Sequence, residues 1–162
     1  DVNALRAEGA LQIAAKSSAG ICMMHMIGTP QTMQQLIDYN DVLVEVKNYL
    51  LSRAQAAEDA GIVKKRIALD PGFGFGKRTV HNLALLRGLS SIADSGYAVL
   101  GGLSRKSIFS ELTGKLTAER VSASIAAAVI AAQNGASIIR VHDGAATKDA
   151  LAVLQAVQTN QG

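Results

Sequence analysis

Four segments of this chain concentrate residues that could do chemistry, and each follows or includes a short apolar run. In the first, Ile67-Ala68-Leu69 stops at Asp70, and the chain then breaks into Pro71-Gly72-Phe73-Gly74-Phe75-Gly76-Lys77. A carboxylate at the end of a strand, followed by a loop too rich in glycine to be ordinary helix or sheet, points to a ligand-holding turn. Such a carboxylate can accept two parallel N–H bonds from an amidine-like edge, for example an aminopyrimidinone. It can equally cap its own turn through Pro71 and Gly72. The aromatics favour the ligand: Phe75 can lie against a flat ring where Gly74 lets that ring approach.

Gly101-Gly102-Leu103-Ser104-Arg105-Lys106-Ser107 combines two glycines, two cations and two hydroxyls. That set suits an anion, or a lysine bonded to a carbonyl oxygen. Ser107 opens the following segment, where free backbone N–H groups favour anions. A solvated basic turn is the plainer reading. In Arg140-Val141-His142-Asp143 strand alternation puts Arg140 and His142 on one side. Inward basic groups are costly unless something anionic meets them; Asp143 or an anionic ligand could do so. Met23-Met24-His25-Met26 is weaker. A lone His in an apolar run reads first as a hydrogen-bonded interior residue, and the three His are too scattered for a metal cluster. Met24 can line a flat pocket with its polarizable sulfur. Cys22 is the only cysteine, which rules out an internal disulfide. Its apolar neighbours suit a buried thiol in a reducing compartment rather than a nucleophile.

Strands that end beside one another are needed to bring these segments together. The pattern of apolar runs and breakers predicts a helix over 4–19, a strand at 21–24, and a break at Gly28-Thr29-Pro30 followed by a polar loop. A long amphipathic helix over 41–60 follows, with Val42, Val46, Tyr49, Leu50 and Ala54 on one face, then a strand at 67–69. Thr79 is expected to cap a helix to about Ser95, ahead of a strand at 98–100. Thr117 is expected to cap a helix to Asn134, and a strand at 137–141 and a helix from Thr147 to about Val157 complete the chain. Continuous apolar strands alternating with helices mean an α/β protein with a parallel sheet. An open four-stranded sheet satisfies the pattern. Half of an eight-fold β/α barrel satisfies it better, because the chemical residues all sit just after strands. The leading helix would then be the fourth, and the strands the fifth to eighth.

Composition bounds the rest. With 162 residues, 49% hydrophobic and 18% charged, the chain is globular and long enough for one real core. A net charge of +3, with no run of five Lys/Arg and no aromatic interleaving, argues against nucleic-acid binding. No stretch reaches the roughly 18 apolar residues of a membrane span, and no signal peptide is visible, so a cytoplasmic location is expected. The chain opens on Asp1-Val2 without Met and is expected to be part of a longer one. The helix over 118–134 is apolar nearly all round. Val121, Ile125, Ala128 and Ala132 form one stripe, and Ala123, Ala126, Ala127, Ile130 and Ala131 fill much of the rest. Cover on two sides is then expected, by the sheet and by a second copy in an isologous homodimer.

Taken in order, these segments resemble the dihydropteroate synthase family of pterin-binding enzymes in bacterial folate synthesis. The resemblance is carried by Asp1-Val2, Met-His-Met-x-Gly-x-Pro-x-x-Met over 24–33, Tyr39-x-Asp41-Val42, the Asp-Pro-Gly-Phe-Gly-Phe-Gly-Lys run, His81-Asn82-Leu83, Ser-Arg-Lys-Ser and Arg-Val-His-Asp. It implies a TIM-type (β/α)8 barrel and a condensation in which 4-aminobenzoate displaces pyrophosphate from hydroxymethyl-dihydropterin diphosphate. It further implies that Val2, Met24, Asp70, Gly102, Lys106 and Arg140 hold the pterin. Arg140 and His142 would take the diphosphate, and Gly74, Phe75, Lys106 and Ser107 would face aminobenzoate, where sulfonamides compete. Lys106, Arg140 and His142 would be the catalytic set.

The resemblance is to the family's C-terminal half, about strands five to eight with helices four to eight, so residues 1–162 are expected to form part of a barrel domain. The family's Mg²⁺-holding Asn-x-Thr-x-Asp-Ser-Phe loop, its Arg-bearing second loop and its third-strand Asp have no counterpart here. The metal ligand is therefore expected on the N-terminal half, with none in this stretch, and the isolated chain is expected to be inactive. Two alternatives stand beside this reading. A related pterin-binding barrel that transfers a methyl group from methyl-tetrahydrofolate is one, and the Ser-Arg-Lys-Ser and Arg-Val-His segments speak against it. A non-catalytic dimerising paralogue is the other, and Asp70, Lys106, Arg140 and His142 speak against that.

Overall fold

The computed structural model describes residues 1–29, 32–33 and 37–159. Four short strands, β1 (Ile21–Met24), β2 (Ile67–Asp70), β3 (Ala98–Gly101) and β4 (Ile138–Ile139), form one parallel sheet in sequence order. The register sets Met23 beside Leu69 and Leu69 beside Val99 on one face. It sets Cys22, Ala68 and Ala98 in a row on the other, with Met24 beside Asp70. The expected α/β class with a parallel sheet is thus what forms.

The helices are α1 (Ala10–Lys16), α2 (Val42–Asp59), α3 (Thr79–Arg87), α4 (Leu89–Ala93), α5 (Ile108–Thr113), α6 (Val121–Gln133) and α7 (Gly144–Gln158). The core lies between the Met23–Leu69–Val99 face and Val46, Leu50 and Ala54 of α2, Leu85 of α3, Leu89 of α4, and Ala127 and Ala131 of α6. Each fully buried Leu, Val or Met there contributes roughly 1.5–3 kcal/mol. Met24, Ala68 and Leu100, on the other face, are buried but outside that cluster.

α2 forms as its periodicity predicts, and the Asp41 side chain caps it by accepting the N–H groups of Leu43 and Val44 at 3.0 and 3.1 Å. Several expectations need correction. The first helix begins at Ala10, not at 4, because the Asp1 carboxylate accepts the N–H of Asn3 and of Leu5 and turns the chain. Ala4 and Leu5 take positive φ there, and Arg53 of α2 binds both of their carbonyls. The single helix expected from Thr79 divides into α3 and α4 at Gly88. A Cβ at Gly88 would lie 2.3 Å from Leu43 Cδ2, so α2 can pack this closely only on glycine. Thr79 is the first residue of α3 rather than its cap; the Arg78 N–H donates to His81 Nδ1.

Thr117 opens a 3-10 turn, and α6 starts only at Val121. The buried stripe of α6 is Ser124, Ala127, Ala128 and Ala131, not Val121, Ile125, Ala128 and Ala132. Small side chains face the sheet because α6 lies close to it, with the Ala131 Cβ 3.2 Å from where a Cβ on Gly101 would be. Ile130 is left 42% exposed. Finally, β4 is two residues long, and α7 begins at Gly144 rather than Thr147, whose hydroxyl instead donates to the Asp143 carbonyl within the helix. α5 has no counterpart among the helices expected from the sequence. Much of the polar loop expected after Gly28-Thr29-Pro30 lies outside the described residues.

Candidate active site

The C-terminal ends of β2, β3 and β4 converge on one mouth. Asp70, the last residue of β2, is 2% exposed. The Gly72 N–H donates to its Oδ1 at 2.8 Å, and Arg140 Nη2 lies 3.7 Å from Oδ2. Burial pushes its carboxyl above the usual carboxylate range, against the Gly72 hydrogen bond and the positive charges of Arg140, Lys106 and Lys77. Both turn-capping and a ligand-facing role were open from sequence. The geometry combines them, since one oxygen serves the turn and the other meets the cationic side of the mouth. Arg140 lies over Gly102, and a Cβ there would come within 2.9 Å of Nη2. Its side chain is 59% exposed, so the guanidinium can reach a ligand as well as Asp70.

The loops after β3 and β4 are stitched by two adjacent pairs. Ser104 Oγ lies 2.9 Å from His142 Nδ1 and accepts the His142 N–H at 3.2 Å. Arg105 donates through Nε and Nη2 to the two Asp143 oxygens, which holds the Asp143 carboxyl below its usual range. Asp143 is therefore Arg105's partner, not Arg140's. Lys106 donates to the Phe73 carbonyl, and its ammonium sits 4.6 Å from the centre of the Phe75 ring. Burial lowers Lys106 to about 8; Asp70 opposes that shift and Arg140 adds to it. Phe75, Gly102, Ser104, Lys106, Arg140 and His142 line a cavity of about 210 Å³. A larger hollow of about 440 Å³ between β4 and α7 is lined mostly by aliphatic groups and holds none of these side chains. We take the smaller cavity as the site because the charged groups converge there.

The glycine loop is held from beneath. Lys77, 5% exposed, donates to the Gly72 and Phe75 carbonyls at 3.1 and 3.0 Å and lies 3.0 Å from His25 Nδ1. Burial pushes Lys77 down to about 7 and His25 to about 3, so His25 is neutral. Asn82 accepts the Gly74 N–H at 2.7 Å and donates to the Lys77 and Arg78 carbonyls. Neither Lys77 nor Asn82 is conspicuous as a supporting residue in the sequence. A signal existed for Asn82: it precedes Leu85, Leu86 and Leu89 at helical spacing, a polar residue on an apolar face.

Asp70, Gly74, Phe75, Gly102, Lys106, Arg140 and His142 thus come together. Met24 is buried beside Asp70 in the register, its Cγ 3.2 Å from a Cβ placed on Gly72. Val2, in the opening turn, and Ser107, exposed just before α5, do not line the cavity, and neither do Asp70, Gly74 and Met24. Cys22 is half-buried on the Ala68 face, and burial raises its thiol pKa, which makes it a poor nucleophile. Among the described residues no three of His, Cys, Asp or Glu gather as a metal cage. The acidic groups at the mouth are engaged, Asp70 with Gly72 and Arg140 and Asp143 with Arg105. These residues do not fit a magnesium site. No helix among them is long and apolar enough to cross a membrane.

The strand ends of this α/β protein thus set a buried carboxylate, Asp70, beside a small cavity lined by the Lys106 ammonium and the Arg140 guanidinium, the place where parallel α/β sheets bind ligands. The pterin binding enzyme family model matches residues 1–142, and the chain belongs to that family. It is 50% identical over 165 residues to the dihydropteroate synthase of Neisseria meningitidis serogroup B, covering 99% of this chain and 58% of that protein. Among solved structures, the Xanthomonas albilineans dihydropteroate synthase with 4-aminobenzoic acid superposes with a TM-score of 0.91 at 50% identity, covering 98% of this chain and 56% of that one. The same enzyme in complex with 7,8-dihydropteroate gives 0.89 at 50% identity, covering 98% and 59%. The chain spans about half the length of the curated relatives it matches.

Proposed function

We propose that this chain is the C-terminal half of a (β/α)8 barrel, residues 1–162 carrying strands five to eight, and that the full-length protein is a dihydropteroate synthase. The observation that carries the activity is Asp70, a carboxylate 2% exposed whose Oδ2 lies 3.7 Å from the Arg140 guanidinium that lines the cavity. Helices packed against one face of the sheet, with Met24, Ala68 and Leu100 buried on the other, support a sheet that closes on itself.

In this reading Asp70 accepts two N–H bonds from the pterin's aminopyrimidinone edge, and Lys106 donates to its carbonyl. Met24 and Gly102 shape the slot, and Gly74, Phe75 and Lys106 face 4-aminobenzoate; Val2 and Ser107, off the cavity wall, would meet the ligands only beyond it. The amine attacks the pterin methylene and forms the C–N bond, the C–O bond to diphosphate breaks, pyrophosphate leaves with the bonding pair, and the nitrogen releases its extra proton to water. Arg140 and His142 stabilise that departing anion, while the buried mouth fixes the ring's orientation. Mg²⁺, held by ligands on the N-terminal half, would supply further charge neutralisation. A cytoplasmic location accords with the unpaired Cys22.

Turnover of 4-aminobenzoate and the dihydropterin diphosphate by the full-length protein should yield dihydropteroate and one pyrophosphate per turnover, with negligible turnover by residues 1–162 alone. Tighter binding of methyl-tetrahydrofolate than of the pterin diphosphate would instead favour the methyltransferase reading. The protein is further proposed to be a homodimer through α6 and α7. These neighbouring helices expose Ile130, Val153 and Val157. Light scattering should give twice the protomer mass, and a monomer at tens of micromolar rejects the pair.

A further inference from the structure

We propose that Ser124 and Arg120, at the start of α6, are positioning residues: they hold Arg105 in a left-handed backbone conformation and thereby aim Lys106 into the cavity. The inference rests on the functional reading above for what Lys106 binds. Arg105 has φ +58°, a region that side-chain-bearing residues adopt only when their surroundings impose it. The imposition is visible bond by bond. The Arg105 N–H donates to Ser124 Oγ at 2.8 Å, and that hydroxyl donates in turn to the Arg120 carbonyl at 2.6 Å. Arg120 Nη1 returns to the Arg105 carbonyl at 3.0 Å, while its Nε anchors on the Lys115 carbonyl at 3.1 Å. The Arg105 side chain is tied separately to Asp143.

Arg105's N–H, carbonyl and guanidinium are therefore all bonded, the first to Ser124 in the opening turn of α6 and the second to Arg120 at its N-cap. Neither Ser124 nor Arg120 lines the cavity. Ser124 is 4% exposed on the alanine face of α6, where a hydroxyl is costly unless it is bonded on both sides, as it is here. Lys106 is the next residue along the chain, so the dihedral angles at Arg105 decide whether its side chain runs toward Phe73 and Phe75 or out to solvent. Without the clamp, Arg105 would relax to negative φ and Lys106 would swing away.

The test is a double-mutant cycle in the full-length protein, read as the affinity for 6-hydroxymethyl-7,8-dihydropterin diphosphate by calorimetric titration. Lys106→Ala should weaken binding about 30-fold and Ser124→Ala about 10-fold, from hydrogen-bond and charge losses of ordinary size. The double variant should be no weaker than Lys106→Ala alone, within about 2-fold, because both act through one group. A merely structural role would multiply the two losses, and that result overturns the proposal. So does Ser124→Ala binding within 2-fold of the parent while Lys106→Ala is impaired. If Lys106→Ala leaves affinity unchanged, the reading of the site itself fails. In an Arg105→Gly background, where glycine takes the left-handed conformation unaided, adding Ser124→Ala should change affinity less than 2-fold; a 10-fold loss there also overturns the proposal. Should Ser124→Ala fail to fold, Arg120→Met opens the other side of the clamp and is read in the same cycle.

Discussion

Asp70→Asn in the full-length protein is expected to weaken binding of the dihydropterin diphosphate by roughly 10²–10³-fold while leaving the fold intact. The amide keeps an oxygen for the Gly72 N–H, which now donates to Oδ1 at 2.8 Å. What changes is the edge offered to the ring, where an N–H₂ group meets ring donors in place of a carboxylate oxygen. Two charge-assisted bonds at about 1.5–3 kcal/mol each account for a loss of this size. Stability should move the other way. Burial raises Asp70 above its unfolded value, so the folded state binds the proton more readily than the unfolded one. Stability is therefore lost as pH rises through the raised value and is not regained at neutral pH. Asn carries no such loss, so the variant should melt higher than the parent near pH 7, and the gap should close as pH falls. Titration calorimetry and melts across pH read both effects. A change in affinity below 5-fold would mean that Asp70 merely caps its turn.

The parts of the fold that could be read from sequence are those that local periodicity decides. β1 and α2 appear almost residue for residue because Val42, Val46, Leu50 and Ala54 repeat at helical spacing and Asp41 supplies the cap. The parts that could not be read are decided by contacts from elsewhere. Nothing in residues 4–9 announces that Arg53 will take the carbonyls of Ala4 and Leu5 and hold them out of a helix. Nor does Gly88 declare which helix lies against it until Leu43 of α2 is seen there. On α6, a helix apolar nearly all round has no periodic signal to choose a face. Proximity to Gly101 of β3 selects the smallest side chains, and the larger Ile130 is turned outward.

The site divides the same way. Residue type and position after a strand sufficed to single out Asp70, Lys106, Arg140 and His142, because a charge at the end of an apolar run is chemically conspicuous. Their partners were not conspicuous. Asp143 stands beside His142 in sequence and reads as the partner of the inward basic residues, yet Arg105 claims it from the neighbouring loop with two hydrogen bonds. Lys77 closes the glycine run in sequence, but its work is to gather the carbonyls of Gly72 and Phe75, which only the folded loop brings within its reach.

Lys106→Ala should be the most damaging single change, lowering kcat/KM of the full-length protein by about 10⁴. About 30-fold of that is ground-state binding, the loss of one charged hydrogen bond. The remainder is the loss of a fixed positive charge beside the pterin ring and 4-aminobenzoate, of the size removed with one preorganised donor, about 10²–10³. Lys106→Arg should not restore activity. The Lys106 ammonium fits between the Phe73 carbonyl and the Phe75 ring as a compact donor, whereas a planar fork needs a wider site. The pH profile supplies a check that simple loss of packing cannot mimic. Burial brings Lys106 down to about 8, so its charge is lost as pH rises through that value, and kcat/KM of the parent should fall on the alkaline side near pH 8. The residual activity of Lys106→Ala should lack that limb. If the limb survives in the variant, or if activity stays within tenfold of the parent, the charge that assists diphosphate departure belongs to Arg140 and His142 alone.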